Sequence, residues 1–284
     1  MGIVSTGMTR FCFILFAFVF ASPDCFASGH GPVFGAATPT LGRGGWSFDQ
    51  AWTRREGSDG DTSQMFKSMV SFGITETIQV SASVPIAMTS NLQPSRMMSA
   101  MSSEREFESL LAYRFQRRVI GIGGRQESTL YVGATAPMES ERNGTKVGAS
   151  IQAQVATGYA SREHYLWIGG GIQHFLERDK SQQGDSRFMS LVYGYRPPPL
   201  QTEAGKPDLR FFVEATLEDR TATRAGATEV ASGTRSLFIG PTSLLVYKAI
   251  AVAGGILLPA YQRDDQPQER FRVAVNFAYF FWLR

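Results

Sequence analysis

Fourteen residues at the end of the chain, Phe271 to Arg284, alternate with a period of two. Phe271, Val273, Val275, Phe277, Tyr279, Phe281 and Leu283 fall on one side, and Arg272, Ala274, Asn276, Ala278, Phe280, Trp282 and Arg284 on the other. Successive side chains of a strand point to opposite faces. One face is therefore apolar and aromatic throughout, while the other mixes small, polar and charged groups. Strands of globular proteins run about five or six residues. A strand tilted across a bilayer needs about 9–11, with apolar side chains toward lipid. The segment predicts a strand that crosses a membrane.

The other end predicts export. Thr9-Arg10 precedes an apolar run of eleven residues, Phe11 to Ala21, and Cys25-Phe26-Ala27 supplies a small-x-small cleavage site. This is the layout of a signal peptide over residues 1–27. The run is too short to span a bilayer as a helix, which takes about 20 residues. Cys12 and Cys25, the two cysteines, would leave with it. The mature chain would then hold no disulfide, zinc-thiolate site or Cys nucleophile.

Hydrophobic residues make up 43% of the chain and the mean hydropathy is −0.12, which excludes a bundle of membrane helices. The net charge of +3 arises from interspersed acids and bases, with Arg54-Arg55 and Arg117-Arg118 as isolated pairs. No clustered basic face or stacking motif points to nucleic acid.

Residues 28–44 are rich in Gly and Pro and too irregular for a strand. They read as a periplasmic lead-in or a short piece folded into a lumen. From residue 45 onward, alternating segments are separated by turn chemistry. The expected strands are Gly45–Arg55, Gln64–Phe72, Thr77–Met88, Arg105–Gln116, Gln126–Met138, Lys146–Tyr159, Glu163–Glu177, Ser186–Arg196, Asp208–Glu218, Gly233–Val246, Ala249–Gln262 and Glu269–Arg284. An even number of strands suits one closed antiparallel transmembrane β-barrel over residues 45–284, of all-β class with about twelve strands. The connections Gly73–Glu76, Ala160–Arg162 and Tyr247–Lys248 are very short, Arg117–Arg125 is intermediate, and Pro197–Pro207 breaks the pattern. The alternate connections are polar, and two of them are long, as expected for periplasmic turns and extracellular loops. Val84-Pro85, Ala136-Pro137 and Leu258-Pro259 each put a proline at the same expected edge, where its missing N–H does least harm. A soluble exported sandwich or lipocalin-like barrel is the alternative fold.

The sequence offers little catalytic chemistry. His164 and His174 share a strand face but lie roughly 33 Å apart at about 3.3 Å per residue, too far to share an ion. They read as polar-aromatic residues near opposite membrane interfaces. His174 could face Ser190 across neighbouring strands, as a Ser/His couple requires. Gly121-Ile122-Gly123-Gly124 lacks the Lys-Ser/Thr of a phosphate loop and sits in an expected turn. Asn143-Gly144-Thr145 is a formal sequon of no evident use in a bacterial export product. No cofactor or metal site is indicated.

The lumen face is more informative. With the apolar parity toward lipid, Gln79, Ser81 and Ser83 point inward, together with Glu108, Arg114, Arg210, Glu214, Glu218, Arg272 and Asn276. Glu108, Arg114, Arg210, Glu214, Glu218 and Arg272 are the candidates for setting selectivity. Such charges either pair into a network that fills the tube or line a water-filled path.

The chain resembles the Gram-negative outer-membrane barrels known as phenol meta-pathway transporter-like proteins, related in style to fatty-acid and aromatic-hydrocarbon channels. The resemblance rests on His30-Gly31-Pro32-Val33-Phe34-Gly35 with Pro39, on Gly44–Phe48 (GGWSF), and on the unit Phe72-Gly73-Ile74-Thr75 through Val84-Pro85. It covers nearly the whole mature chain. One departure is the end on Arg284, where such barrels finish on an aromatic residue. The resemblance implies an outer-membrane channel for passive uptake of small solutes, hydrophobic or aromatic ones included. Expected partners are outer-membrane lipid and lipopolysaccharide, the barrel assembly machinery and the solute. A plugged structural or assembly barrel and an outer-membrane lipid hydrolase are the competing functions.

Overall fold

The structure, a computed structural model, describes residues 31–58, 60–90, 106–138, 141–142, 145–198, 207–263 and 268–282. The expected signal peptide, His30, the sequon at 143–144, most of the third loop (91–105), most of the Pro197–Pro207 connection and the terminal Arg284 lie outside these residues. Twelve strands form one closed, sequential, antiparallel barrel. They are β1 Gly45–Gly57, β2 Thr62–Gly73, β3 Ile78–Ser90, β4 Glu106–Val119, β5 Arg125–Pro137 and β6 Ser150–Ala160, then β7 His164–Phe175, β8 Ser186–Tyr195, β9 Asp208–Arg220, β10 Thr234–Tyr247, β11 Ile250–Gln262 and β12 Glu269–Trp282. The last strand closes on the first, with Gly45 opposite Trp282 and Arg55 opposite Arg272. Closure leaves no edge, so every ladder can be satisfied without water.

The side-chain pattern follows the alternation read from the sequence. Val275 and Phe277 are exposed on the outside of β12, while Arg272, Ala274, Asn276, Ala278 and Phe280 are buried inside. Exposed Val70, Leu111, Val132, Val155, Ile168, Leu191, Val213, Ile239 and Val252 continue the outer belt around the barrel. Tyr113, Tyr159, Tyr193, Tyr195, Phe211 and Tyr247 ring the end with the short turns, an interfacial aromatic girdle. His164 joins it through the Tyr193 hydroxyl, 2.9 Å from Nδ1, and His174 sits at the opposite end beside Asp185. A closed barrel with such a belt is a transmembrane barrel, and the outer membrane is its place. The end with the short turns is the periplasmic one. Val275→Arg should therefore oppose insertion by about 2–4 kcal/mol near the midplane. Folding yield into lipid vesicles checks this, and normal insertion would reject the assigned lipid face.

Three differences from the sequence reading have physical causes. β4 runs to Val119 rather than Gln116, because Gly121 and Gly123 take φ of 64° and 81° and close the turn in five residues, with Ile120 N–H donating to Gly124 (2.9 Å). The polar loops at the outer end also contain structure. Ser181–Gln182, Thr223–Ala225 and Thr228–Ala231 form a small sheet, and Glu141–Arg142 pairs with Thr145–Lys146. Finally, β12 bulges where Glu56 faces Phe271 but Gly57 faces Glu269. The extra residue, Arg270, shifts the alternation and turns Glu269 inward.

Candidate functional site: the barrel lumen

The lumen is built from the inward face of every strand and from the segment that precedes β1. Residues 31–44 have too many Gly, Pro and Ala for a strand, but that composition suits a segment packed tightly against a wall. The segment crosses the lumen and touches the wall strand by strand. Val33, Phe34 and Gly35 lie against β9, and Ala36 N–H donates to Ser190 Oγ on β8 (2.9 Å). The carbonyls of Ala37 and Thr38 accept the Tyr131 and Thr129 hydroxyls on β5, both at 2.6 Å. Leu41 N–H donates to Gln79 Oε1 on β3 (2.8 Å). Gly44 N–H then donates to Gly73 at the end of β2 (2.8 Å), and β1 begins. Two glycines permit the approach. A Cβ on Gly35 would collide with a Val192 methyl, and one on Gly169 with the Ala36 Cβ.

Glu214 anchors this segment. Its side chain is fully buried at mid-strand on β9. The carboxylate accepts the N–H groups of Val33 (2.7 Å), Phe34 (2.7 Å) and Gly35 (2.6 Å), and also the Thr242 hydroxyl. Successive amides converging on one anion form a nest. Such a buried carboxylate would be very costly without these donors, and the donors would be unpaired without it. Wall and segment therefore satisfy one another.

The walls flanking the segment differ. On β7 to β12 part of the interior is apolar: Tyr165, Trp167, Val192, Phe212, Leu244 and Phe280 cluster with Val33 and Phe34. Tyr165 and Trp167 stack at 5.3 Å, Phe212 lies 6.0 Å from Trp167, and the Arg210 guanidinium lies over Tyr165. Among the described residues, Trp167 Nε1 has no hydrogen-bond partner. On β2 to β7 the interior is polar. Lys67 Nζ lies 3.1 Å from Glu108, which also accepts from Gln152, and Gln173 bonds both Ser150 (2.8 Å) and Glu106 (3.3 Å).

Some of these bonds cut across the barrel. Gln173 on β7 reaches Glu106 on β4 past two strands. Arg272 on β12 likewise reaches Glu218 on β9 (2.6 Å), past β10 and β11. Arg272 also pairs with Glu269 (2.9 Å), which pairs with Arg55, and its guanidinium stacks 3.7 Å over the Phe238 ring. At the outer end the wall is thus braced by a buried chain of alternating charge.

The six candidate selectivity residues do not meet at one point. Glu108 belongs to the polar wall, Glu214 to the segment's seat, and Glu218 and Arg272 to the outer brace. Arg210 pairs with Asp208 (2.7 Å), beside Arg196, at the periplasmic end. Arg114 pairs with Glu127 (3.3 Å) at that same end, and its guanidinium also donates to the Glu76 carbonyl (2.6 Å). Lys67, Glu127 and Thr242 were missed as partners although their strand parity already placed them inside. Glu269 could not be found that way, because only the bulge turns it inward. The Ser/His couple does not form: His174 faces outward, Ser190 faces inward, and Ser190 lies opposite Gly169. The hydrolase reading loses its proposed pair.

No protein-family model matches the chain, and no curated protein matches it in sequence. Among solved structures, an outer membrane channel from Pseudomonas putida F1 is similar with a TM-score of 0.64 at 12% identity, over 86% of this chain and 98% of its own. The NanC porin gives 0.48 at 9% identity, over 84% of this chain and 100% of its own. LpxR from Salmonella typhimurium gives 0.37 at 10%, again over 84% and 100%. The first likeness is one of fold, and the other two are looser. Fold and lumen together define a twelve-stranded outer-membrane barrel with a segment of its own chain inside.

Proposed function

We propose that this barrel is a channel for the passive passage of small solutes, hydrophobic or aromatic ones included, and that residues 31–41 must shift for it to open. One observation carries the reading: the segment crossing the lumen is held by side-chain-to-backbone hydrogen bonds centred on Glu214, and is not an added strand of the wall. Segments held in this way can move without breaking the barrel. The aromatic wall of Tyr165, Trp167 and Phe212 supports apolar solutes, because planar apolar molecules stack favourably on such rings. A relation to the phenol meta-pathway transporter-like proteins agrees with this lining. The charged candidates would bias which ions pass. Outer-membrane lipid and lipopolysaccharide around the belt, and the barrel assembly machinery that would insert it, complete the proposed partners.

The paired state of the inward charges favours a second reading, a filled barrel that serves structure alone. Liposome uptake separates the two. Benzenesulfonate, an aromatic ion that leaks slowly through lipid, should enter proteoliposomes faster than methanesulfonate, and Trp167→Ala should reduce that preference severalfold. A barrel sealed to every solute and silent in planar bilayers, even with residues 31–41 deleted, would leave the structural reading.

A further inference from the structure

The tightened β4–β5 turn brings together a cluster of charges that the lumen braces do not use. Arg117 lies directly opposite Glu127 in the ladder, and Arg125 precedes Glu127 by two residues. Paired residues share a face, as do residues two apart, so both arginines share the inward face of Glu127. Arg114 joins them from β4 after a register shift. Three guanidiniums thus surround one carboxylate: Arg114 at 3.3 Å, Arg125 at 3.5 Å and Arg117 at 3.7 Å. Glu127 and Arg114 are buried, with 3% and 10% of their side chains exposed, while Arg117 and Arg125 open to the mouth at 55% and 45%. The last two distances exceed hydrogen-bond reach. Among the described residues, the buried Arg114 Nε has no acceptor. Thr129, two residues above Glu127, holds the inserted segment, so the cluster lies just beneath it.

Three cations stand against Glu127 and the more distant Glu76, which leaves the cluster net positive, with planar donor forks that match the oxygens of an oxyanion. The geometry points to a binding site for a doubly charged phosphoryl group at the periplasmic mouth, formed by Arg114, Arg117 and Arg125, with Glu127 holding their side chains together. Free phosphate or a soluble phosphate ester is the ligand, because the forks face the mouth rather than the lipid. A phospholipid headgroup offers the same chemistry from the other side. The site goes beyond the proposed channel and does not depend on it.

Calorimetric titration of inorganic phosphate into the detergent-solubilised barrel, at pH 7.5 and low salt, reads the site without current. Saturable binding is expected, at least tenfold weaker in the R117Q/R125Q double variant, whose exposed side chains are outside the core. Glu127→Gln, which keeps an oxygen acceptor for Arg114 while removing the competing charge, should tighten binding severalfold. Equal affinity in the parent and the double variant would overturn the site. So would binding to phosphatidylglycerol nanodiscs with none to free phosphate. A barrel that binds phosphate but stays sealed to every solute and silent even with residues 31–41 deleted would refute the channel and keep the site. A conducting barrel without phosphate binding would refute the site alone.

Discussion

Glu214→Ala should unseat the N-terminal segment and raise single-channel conductance severalfold. The substitution removes an acceptor shared by Val33, Phe34 and Gly35. Hydrogen bonds to a charged group contribute about 1.5–3 kcal/mol each, so losing three of them removes a large share of what holds so short a segment. Loss of a negative charge should also move the reversal potential toward anions. The segment can be followed independently of current through Thr38→Cys, a position within it that is buried in the parent. The thiol should be shielded from a maleimide with Glu214 present and labelled once Glu214 is alanine. If labelling and current both stay at parental levels, Glu214 does not seat the segment.

Arg272→Leu should cost about 3–5 kcal/mol of barrel stability, the effect of removing one partner from a buried ion pair. Arg272 is 2% exposed between Glu218 and Glu269, and among the described residues Arg55 would remain to answer the second carboxylate. The two acids would face one another in a closed interior, and the cation over Phe238 would also be lost. Urea unfolding in detergent, followed by loss of heat-modifiable gel mobility, measures the change. Adding Glu218→Gln should recover part of it, because one of the two facing negative charges then disappears. A parental unfolding midpoint for Arg272→Leu would mean that the outer brace contributes nothing to the barrel.

Most of the wall was legible in the sequence. A strand crossing lipid must put an apolar residue outward at every second position, and Phe271 to Phe281 shows this over a length that no soluble strand needs. The same rule assigned Arg272, Glu214 and Glu108 to the interior, and glycine and short polar runs marked the turns. The β4–β5 turn was read too long because Arg117-Arg118 resembles loop chemistry, although both residues still pair with β5.

The site was much less legible, for reasons of distance along the chain. Strand parity says which side chains point inward, but not which of them meet. Arg272 meets Glu218 because closing the barrel brings β12 and β9 within reach across two intervening strands. Glu269 points inward only because one extra residue in β12 breaks the alternation. Residues 31–44 left two readings open, outside the barrel or within it. Glu214 decides between them, since a buried carboxylate must find donors and the amides of Val33 to Gly35 are the ones that reach it. Local alternation, a property of neighbouring residues, determined that this chain makes a membrane barrel. What fills that barrel was decided by contacts between residues some 180 positions apart, which only the closed tertiary structure brings together.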